Sequence, residues 1–482
     1  MINSWLTQGQ KTIFTRPPIV PLGLLESTKF PEDTIYYHHL RDRSPYGLLP
    51  ILGLFEILDA PYLDGSFFHA ALALSALEVS RSNAPEALRN TAAIHALDHF
   101  VEALGTVGRT LVDGDQNTRM SKPNTTVDAH NREKAISWLS TVLFMALFEL
   151  QRGQMKLWYV HSRAAVDFLC QHLSLVVEVD IGESLIRSFS WISALLEIYD
   201  RTHSVQNILT NPEVSNSLAQ SLMTSSSPRD RLLFIIPRVN ELEESWRANP
   251  QPDPRWDAKV EGLRKELKEW RSRLEPCDIP VFDDEDPDLL SSDSLTFEIK
   301  PFTIVQSREP VRAATNIMHY ISSLVRLDFV YPPGPKRMLT ESEIATAIRH
   351  ICRLAAGVPL DLVATVNAYG HGMLPVIMNM YGATEDDRVK EWMRGWIDRF
   401  PREREGIWNI SQMQRLLLHC DEEYGRHGPR AGWRVIKCRM IDLEIDGQTP
   451  LPGRDETGSE KFCVEIYARG KRGWAVDFVE ID

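Results

Sequence analysis

The sequence predicts an all-α protein, a large multi-helix bundle or irregular helical solenoid, closed by a small C-terminal antiparallel β meander. Three observations predict it. From about residue 34 to about residue 425, apolar residues recur at three- and four-residue steps, the period of one helix face. Residues 136–150 are apolar nearly all round, as a helix surrounded by other helices must be. Only the last stretch of about fifty residues changes to a two-residue alternation, the period of a half-buried strand.

Residues 1–33 carry Pro17, Pro18, Pro21 and Pro31 and predict an irregular leader, because proline cannot donate to a helical ladder. Over 68–80 the period puts Phe68, Leu72, Ala76 and Val79 on one face. Ile94, Leu97, Val101, Leu104 and Leu111 repeat at similar steps with one longer gap. Both stretches predict amphipathic helices. Residues 113–132, with Gly114, Pro123 and Asn124, predict a loop. Helical periods continue over 136–150, 155–175 and 186–199. Residues 224–230 predict a break, and 254–274 a charged helix whose Lys and Glu residues pair at four-residue spacing. The helical period resumes over 308–331, 341–356, 366–381, 386–400 and 410–424.

The domain organisation expected is a leader over 1–33, a first helical half over 34–281, an acidic linker over 282–294, a second helical half over 295–430 and a β-rich tail over 431–482. In the tail, Ile436, Cys438 and Met440 alternate in one phase and Ile441, Leu443 and Ile445 in the other, which predicts a bulge at the switch. Phe462, Val464 and Ile466 alternate next, then Trp474, Val476 and Phe478, with Gly470-Lys471-Arg472-Gly473 as the turn between them.

The charge balance is 53 basic against 66 acidic residues, a net −13. Such a surface repels a phosphate backbone, so direct DNA contact by these residues is not expected. The longest apolar run, 138–150, is too short for a membrane span of about 20 residues. Met1-Ile2-Asn3-Ser4-Trp5 has no basic region followed by an apolar core. The expectation is a soluble intracellular chain of nucleus or cytoplasm, without membrane contact. The six cysteines, at 170, 277, 352, 420, 438 and 463, form no Cys-x-x-Cys pair. A structural zinc site needs ligands at short spacings, so neither metal nor cofactor is expected.

Three segments resemble the fungal-specific transcription factor domain, the long helical region that follows the zinc cluster in many fungal regulators. The first runs from Tyr36-Tyr37-His38-His39-Leu40 through Leu48-Leu49-Pro50 to the helix Phe67-Phe68-His69-Ala70-Ala71-Leu72-Ala73-Leu74-Ser75-Ala76, with residues 96–104 similar to the next family helix. The second has Leu147-Phe148-Glu149 before Gly153, then Trp158, His161, Ala164 and Ala165. The third is Leu374-Pro375-Val376-Ile377-Met378 followed by Asp386-Asp387-Arg388. The resemblance spans roughly 34–425. A six-cysteine cluster does not stand in these 482 residues, and the β-rich tail is not something the family implies.

Trp158, His161 and Ala165 share a helical face. They read either as a pocket for a small effector, with Trp158 as platform and His161 as polar handle, or as a packed seam between helices. His69 reads as a ligand contact or as a histidine satisfied within the core. His38-His39 with His371 is a poor metal set, since neighbours in sequence rarely face one ion. Gly370-His371-Gly372 reads as a turn entering a helix that has Pro375 in its first turn. No phosphate-cradling loop or nucleophile elbow is present. Asp386-Asp387 with Glu391 could suggest the magnesium-binding run of a helical cyclase, but the residues read better as acidic groups at a helix N-terminus. The ligand-binding candidates are therefore His69, Trp158, His161 and His371, and no catalytic residue is assigned.

What the resemblance implies is a transcription regulator or co-regulator acting through protein partners, such as another regulator that supplies the DNA contact, with its pocket open to a small-molecule effector. The alternative is a cofactor-independent cyclase or isomerase of fungal secondary metabolism on the same scaffold. A third reading is a zinc cluster encoded upstream of Met1.

Overall fold

Among the described residues of the computed structural model, fifteen α-helices and five strands follow one another. The structure describes residues 28–43, 57–58, 63–82, 84–117, 125–179, 181–199, 212–248, 254–280, 299–302, 304, 307–329, 331, 336–406, 408–427, 434–441, 462–470 and 473–481. The first helices are α1 (Asp33–Arg43), α2 (Gly65–Ser80), α3 (Glu86–Asn117), α4 (Thr125–Arg152), α5 (Met155–Val177), α6 (Gly182–Tyr199) and α7 (Pro212–Thr224). Then come α8 (Pro228–Ala248), α9 (Pro254–Ser272), α10 (Pro310–Phe329), α11 (Glu341–Ala356), α12 (Leu360–Val366), α13 (Leu374–Ala383) and α14 (Asp387–Asp398). A two-residue hairpin of β1 (Arg404–Glu405) and β2 (Trp408–Asn409) leads into α15 (Ile410–His427). The chain ends in β3 (Arg434–Ile441), β4 (Phe462–Gly470) and β5 (Gly473–Ile481).

Local chemistry fixes several helix starts. The Asp64 carboxylate accepts from Phe67 N at the head of α2, at 3.2 Å. Thr340 and Glu343 form a reciprocal capping box on α11. Asp386 caps α14 by accepting from Arg388 N at 3.0 Å, which is the helix-start role expected of it. Pro375 stands in the first turn of α13, where its missing N–H costs nothing.

Packing divides into two apolar cores. The first gathers α1 to α7 around α4, whose Leu139, Leu143, Phe144, Leu147 and Phe148 are fully buried. The second gathers α9 to α15 around α10. The division falls inside α8: Leu233 packs in the first core, while Leu232, Ile235, Ile236 and Val239 pack in the second. Ile198, Phe234 and Trp408 touch both cores, so they mark the seam.

Several expectations are corrected. Residues 113–117 and 125–132, expected in a loop, are helical. No breaker stands between Asn124 and Gly153, so α4 begins early. The helix expected over 366–381 is two helices, α12 and α13, interrupted at 367–373, where Gly370 and Gly372 sit. The α3 stripe is the largest departure. Ile94, Leu97, Val101 and Leu104 are between 41% and 64% exposed, while Ala92, Ala96, His99, Phe100 and Ala103 are buried. Alanines let α3 approach α2 closely, and that contact overrides the larger side chains.

The meander is observed in the order β3-β4-β5, antiparallel throughout. Gly470 pairs with Gly473 across the expected turn. The register slips between Val435 and Lys437, earlier than the predicted switch at 440–441; residues 442–446 lie outside the described residues, as do the leader over 1–27 and the acidic stretch 282–294. Among the described residues no helix is long and apolar enough to cross a membrane.

Candidate functional site

The four residues singled out in the sequence fall in three places. His69 lies on α2, facing α3. A carboxylate can only accept, so His99 Nε2 donates to Asp33 Oδ1 at 2.9 Å. His99 Nδ1 and His69 Nδ1 share a further hydrogen bond, also at 2.9 Å. Asp33 accepts two further hydrogen bonds, from Lys29 N at 2.6 Å and Phe30 N at 2.9 Å. Burial alone would raise its carboxyl, but His99 and these backbone donors outweigh it and hold it below the usual range. The arrangement ties α1, α2 and α3 together and fits the reading of His69 as a satisfied core histidine.

Trp158 and His161 lie one turn apart on α5. Trp158 is fully buried in the first core. His161 stands edge-on to Phe100 at 6.2 Å, and Phe100 stacks on Phe148 at 4.4 Å. Burial pushes the His161 imidazole down to about 4. This surrounding is a packed aromatic seam.

His371 is different, because the loop that carries it lies at the junction of the two cores. Tyr369 packs in the first core and donates its hydroxyl to Glu78; Met373 and Leu374 pack in the second. Gln151 Nε2 donates to Ala368 O at 2.6 Å. From the other side, fully buried Glu405 takes the N–H of Met373 at 2.9 Å, that of Leu374 at 2.6 Å and Asn367 Nδ2 at 2.9 Å. Two of these donors are the free N–H groups at the start of α13, where the helix dipole also favours a negative charge. Burial still pushes the Glu405 carboxyl up, against these donors and the nearby Arg229.

Glycine is required here by close approach. A Cβ on Gly372 would overlap the Glu405 carboxylate, and one on Gly370 would overlap Arg229 Nη2. Gly406 has φ +58°, in the left-handed region, and a Cβ there would overlap Gly370 O.

His319 of α10 donates from Nε2 to both His371 O and Gly372 O, at 3.0 and 2.9 Å. Its ring stacks on His371, with centroids 4.3 Å apart. Burial, with Arg229 and Arg326 adding to it, pushes His319 down to about 4 against the pull of the two carbonyls. His371 is pushed well below the usual range by burial and by His319, Arg326 and Arg229. Both rings are therefore neutral at neutral pH.

Arg229, in the first turn of α8, completes the site. Only 7% exposed, its guanidinium lies 5.9 Å over the Trp191 ring of α6. Burial and nearby Arg312 lower it to about 10, so it stays charged. Its Nη1 and Nη2 have no hydrogen-bond partner; neither do His371 Nδ1 and Asn367 Oδ1. Buried polar atoms are nearly always paired, so this concentration of unmet groups in one place is unusual. Beside it opens a cavity of about 570 Å³, lined by Arg229 together with Ser227, Cys277, Ser307, Glu309 and Arg312. The volume is that of a small-molecule site. The chemistry on offer is recognition of a charged, hydrogen-bonding ligand.

Sequence reasoning named His371 and its turn but missed Arg229, Asn367, His319 and Glu405. Ser227-Pro228 before Arg229 is a helix-start signal, yet nothing local says that the arginine points inward.

Neither the curated proteins nor the solved structures include a match to this chain. A family model described as the fungal specific transcription factor domain does match, over residues 48–440. That stretch contains both cores apart from α1, the seam and the first strand of the meander up to Met440, and the chain belongs to the fungal-specific transcription factor domain family.

Proposed function

We propose that this protein is a transcription regulator or co-regulator that acts in the nucleus through protein partners and answers to a small-molecule effector held at the seam. The family match over 48–440 is the observation that carries the regulatory reading. The effector reading is supported by the unpaired buried groups around Arg229 and the adjoining cavity. A ligand there would touch α8, which the two cores share, and could shift their balance, which is what an effector must do.

The partner reading is supported by the α3 stripe. Ile94, Leu97, Val101 and Leu104 follow steps of three, four and three residues and are exposed. That is the spacing of a helix-to-helix seam, and it suits an amphipathic helix of another regulator. DNA contact would come from that partner, as the net charge of −13 suggests. The alternative of a cyclase or isomerase gains no support from the seam, whose two stacked imidazoles are neutral and of which His319 is taken up in holding two loop carbonyls.

The reading is tested by profiling transcripts and metabolites in a strain lacking the gene and in the same strain with the gene restored. A coherent set of transcripts should fall and return. Steady transcripts with one accumulating intermediate would reject regulation in favour of an enzyme.

A further inference from the structure

The seam also holds information about what its ligand is. Arg229 presents two terminal nitrogens with no hydrogen-bond partner. The guanidinium stands between the cavity and the 367–373 loop: Arg312 and Glu309, which line the cavity, act on its charge from one side and Glu405 from the other. Neighbouring carboxylates have other partners. Glu309 accepts from Arg312 at 2.6 Å, Asp278 from Ser307 at 2.6 Å and Asp230 from Ser225 at 2.6 Å. Glu405 is taken up by two backbone N–H groups and Asn367. A buried cation with no hydrogen bond is strongly disfavoured unless something completes it.

The fork of a guanidinium matches a carboxylate with two parallel hydrogen bonds. Two more groups of the same loop are unmet. Asn367 Oδ1 is an acceptor and needs a donor; His371 Nδ1, on a neutral ring, can serve either way. Neither residue lines the cavity, so the unmet group that a ligand in the cavity can reach is the Arg229 fork.

We propose that the cavity at the seam binds a small carboxylic acid, with its carboxylate on the Arg229 fork. This rests on the reading of the seam as an effector site. Trp191, under the guanidinium, gives a fluorescence signal for it. Gly370 belongs to the seat, because a side chain there displaces Nη2.

The test titrates the purified full chain with lactate, malate, serine, acetate and inorganic phosphate, following tryptophan fluorescence, calorimetry and melting temperature. Saturable binding of a carboxylic acid, tighter than that of phosphate, is expected. Arg229→Met should weaken it about tenfold to a hundredfold, the effect of a lost charged hydrogen bond, and Gly370→Ala should act in the same direction. Without acid, Arg229→Met should melt no lower than the wild type, since it removes an unpaired buried charge; with acid, only the wild type should gain melting temperature. If Arg229→Met does not fold, Arg229→Lys replaces it, keeping charge without fork, and about tenfold weaker binding is expected. The proposal is overturned if no acid binds the wild type, if phosphate binds best, or if the Arg229 variant binds as well as the wild type. Failure here with a coherent fall of transcripts in the deletion strain would sink the ligand class and leave the regulator reading standing.

Discussion

His99 donates from Nε2 to Asp33 Oδ1 at 2.9 Å, and both side chains are closed to solvent. This pair fastens α1 to α3. Replacing His99 by Phe leaves a buried carboxylate short of a partner, and should lower the unfolding free energy by about 3 kcal/mol, read by urea denaturation at neutral pH. Asp33 titrates below its usual range in the folded chain. Its contribution is therefore present above the unfolded value of about 4 and is lost as pH falls through the lower folded value. Asp33→Asn should remove that acid-side dependence; an unchanged acid limb would show that the pair contributes nothing.

His319 titrates in a different window. Its folded value of about 4 lies below the roughly 6.5 of an unfolded histidine. As pH falls below 6.5 the unfolded chain takes the proton first, so stability is lost toward pH 4, by up to about 1.4 kcal/mol per unit from this ring. Glu405 runs the other way: its carboxyl is raised, so its contribution is present below the unfolded value and is lost as pH rises through the folded one. His319→Gln keeps a donor for the two carbonyls but does not titrate. Urea unfolding at pH 7 and pH 5 should show a smaller drop in the variant than in the wild type. Equal drops would remove His319 from the account.

Two glycines of one small region should respond oppositely to alanine. Gly406 has φ +58° and its added Cβ would overlap Gly370 O, whereas a Cβ on Gly395 in α14 meets nothing within 4 Å. Gly406→Ala should cost about 2 kcal/mol or more from backbone strain and overlap. Gly395→Ala should stabilise by up to about 1 kcal/mol, because a helical glycine with open space around it is a poorer helix former than alanine. Melting temperatures of the two purified variants decide the matter, and a Gly406→Ala protein as stable as the wild type would refute the loop geometry.

Surface stripe and stability should separate. Leu97→Glu with Val101→Glu should leave the melting temperature nearly unchanged, within the roughly 0.5 kcal/mol typical of exposed sites. The same double variant should fail to restore transcripts in the deletion strain. Leu362→Glu, on an equally exposed leucine of α12, should restore them. Full restoration by the double variant would exclude α3 as the partner face.

The sequence made the helical class legible because the three- and four-residue period does not depend on partners. The all-round apolar run in α4 announced its own burial, and Gly470 and Gly473 announced the hairpin. The face of α3 was not legible. Its large apolar residues outrank its alanines in any periodicity, yet Ala92, Ala96 and Ala103 permit the close approach that α2 exploits. The site was half legible. Gly370-His371-Gly372 declared a turn, and His371 was named, but its partners come from α8, α10 and β1. Only folding brings Arg229, His319 and Glu405 to that turn.

The 367–373 loop is sewn to both halves, with Tyr369 held by Glu78 and Ala368 by Gln151 on one side and Met373 and Leu374 by Glu405 on the other. The halves therefore have little independence. A single cut in the acidic stretch 282–294 would leave two fragments still clasped through this loop. Heating should melt them in one step, and separately expressed fragments should find each other and refold as a pair.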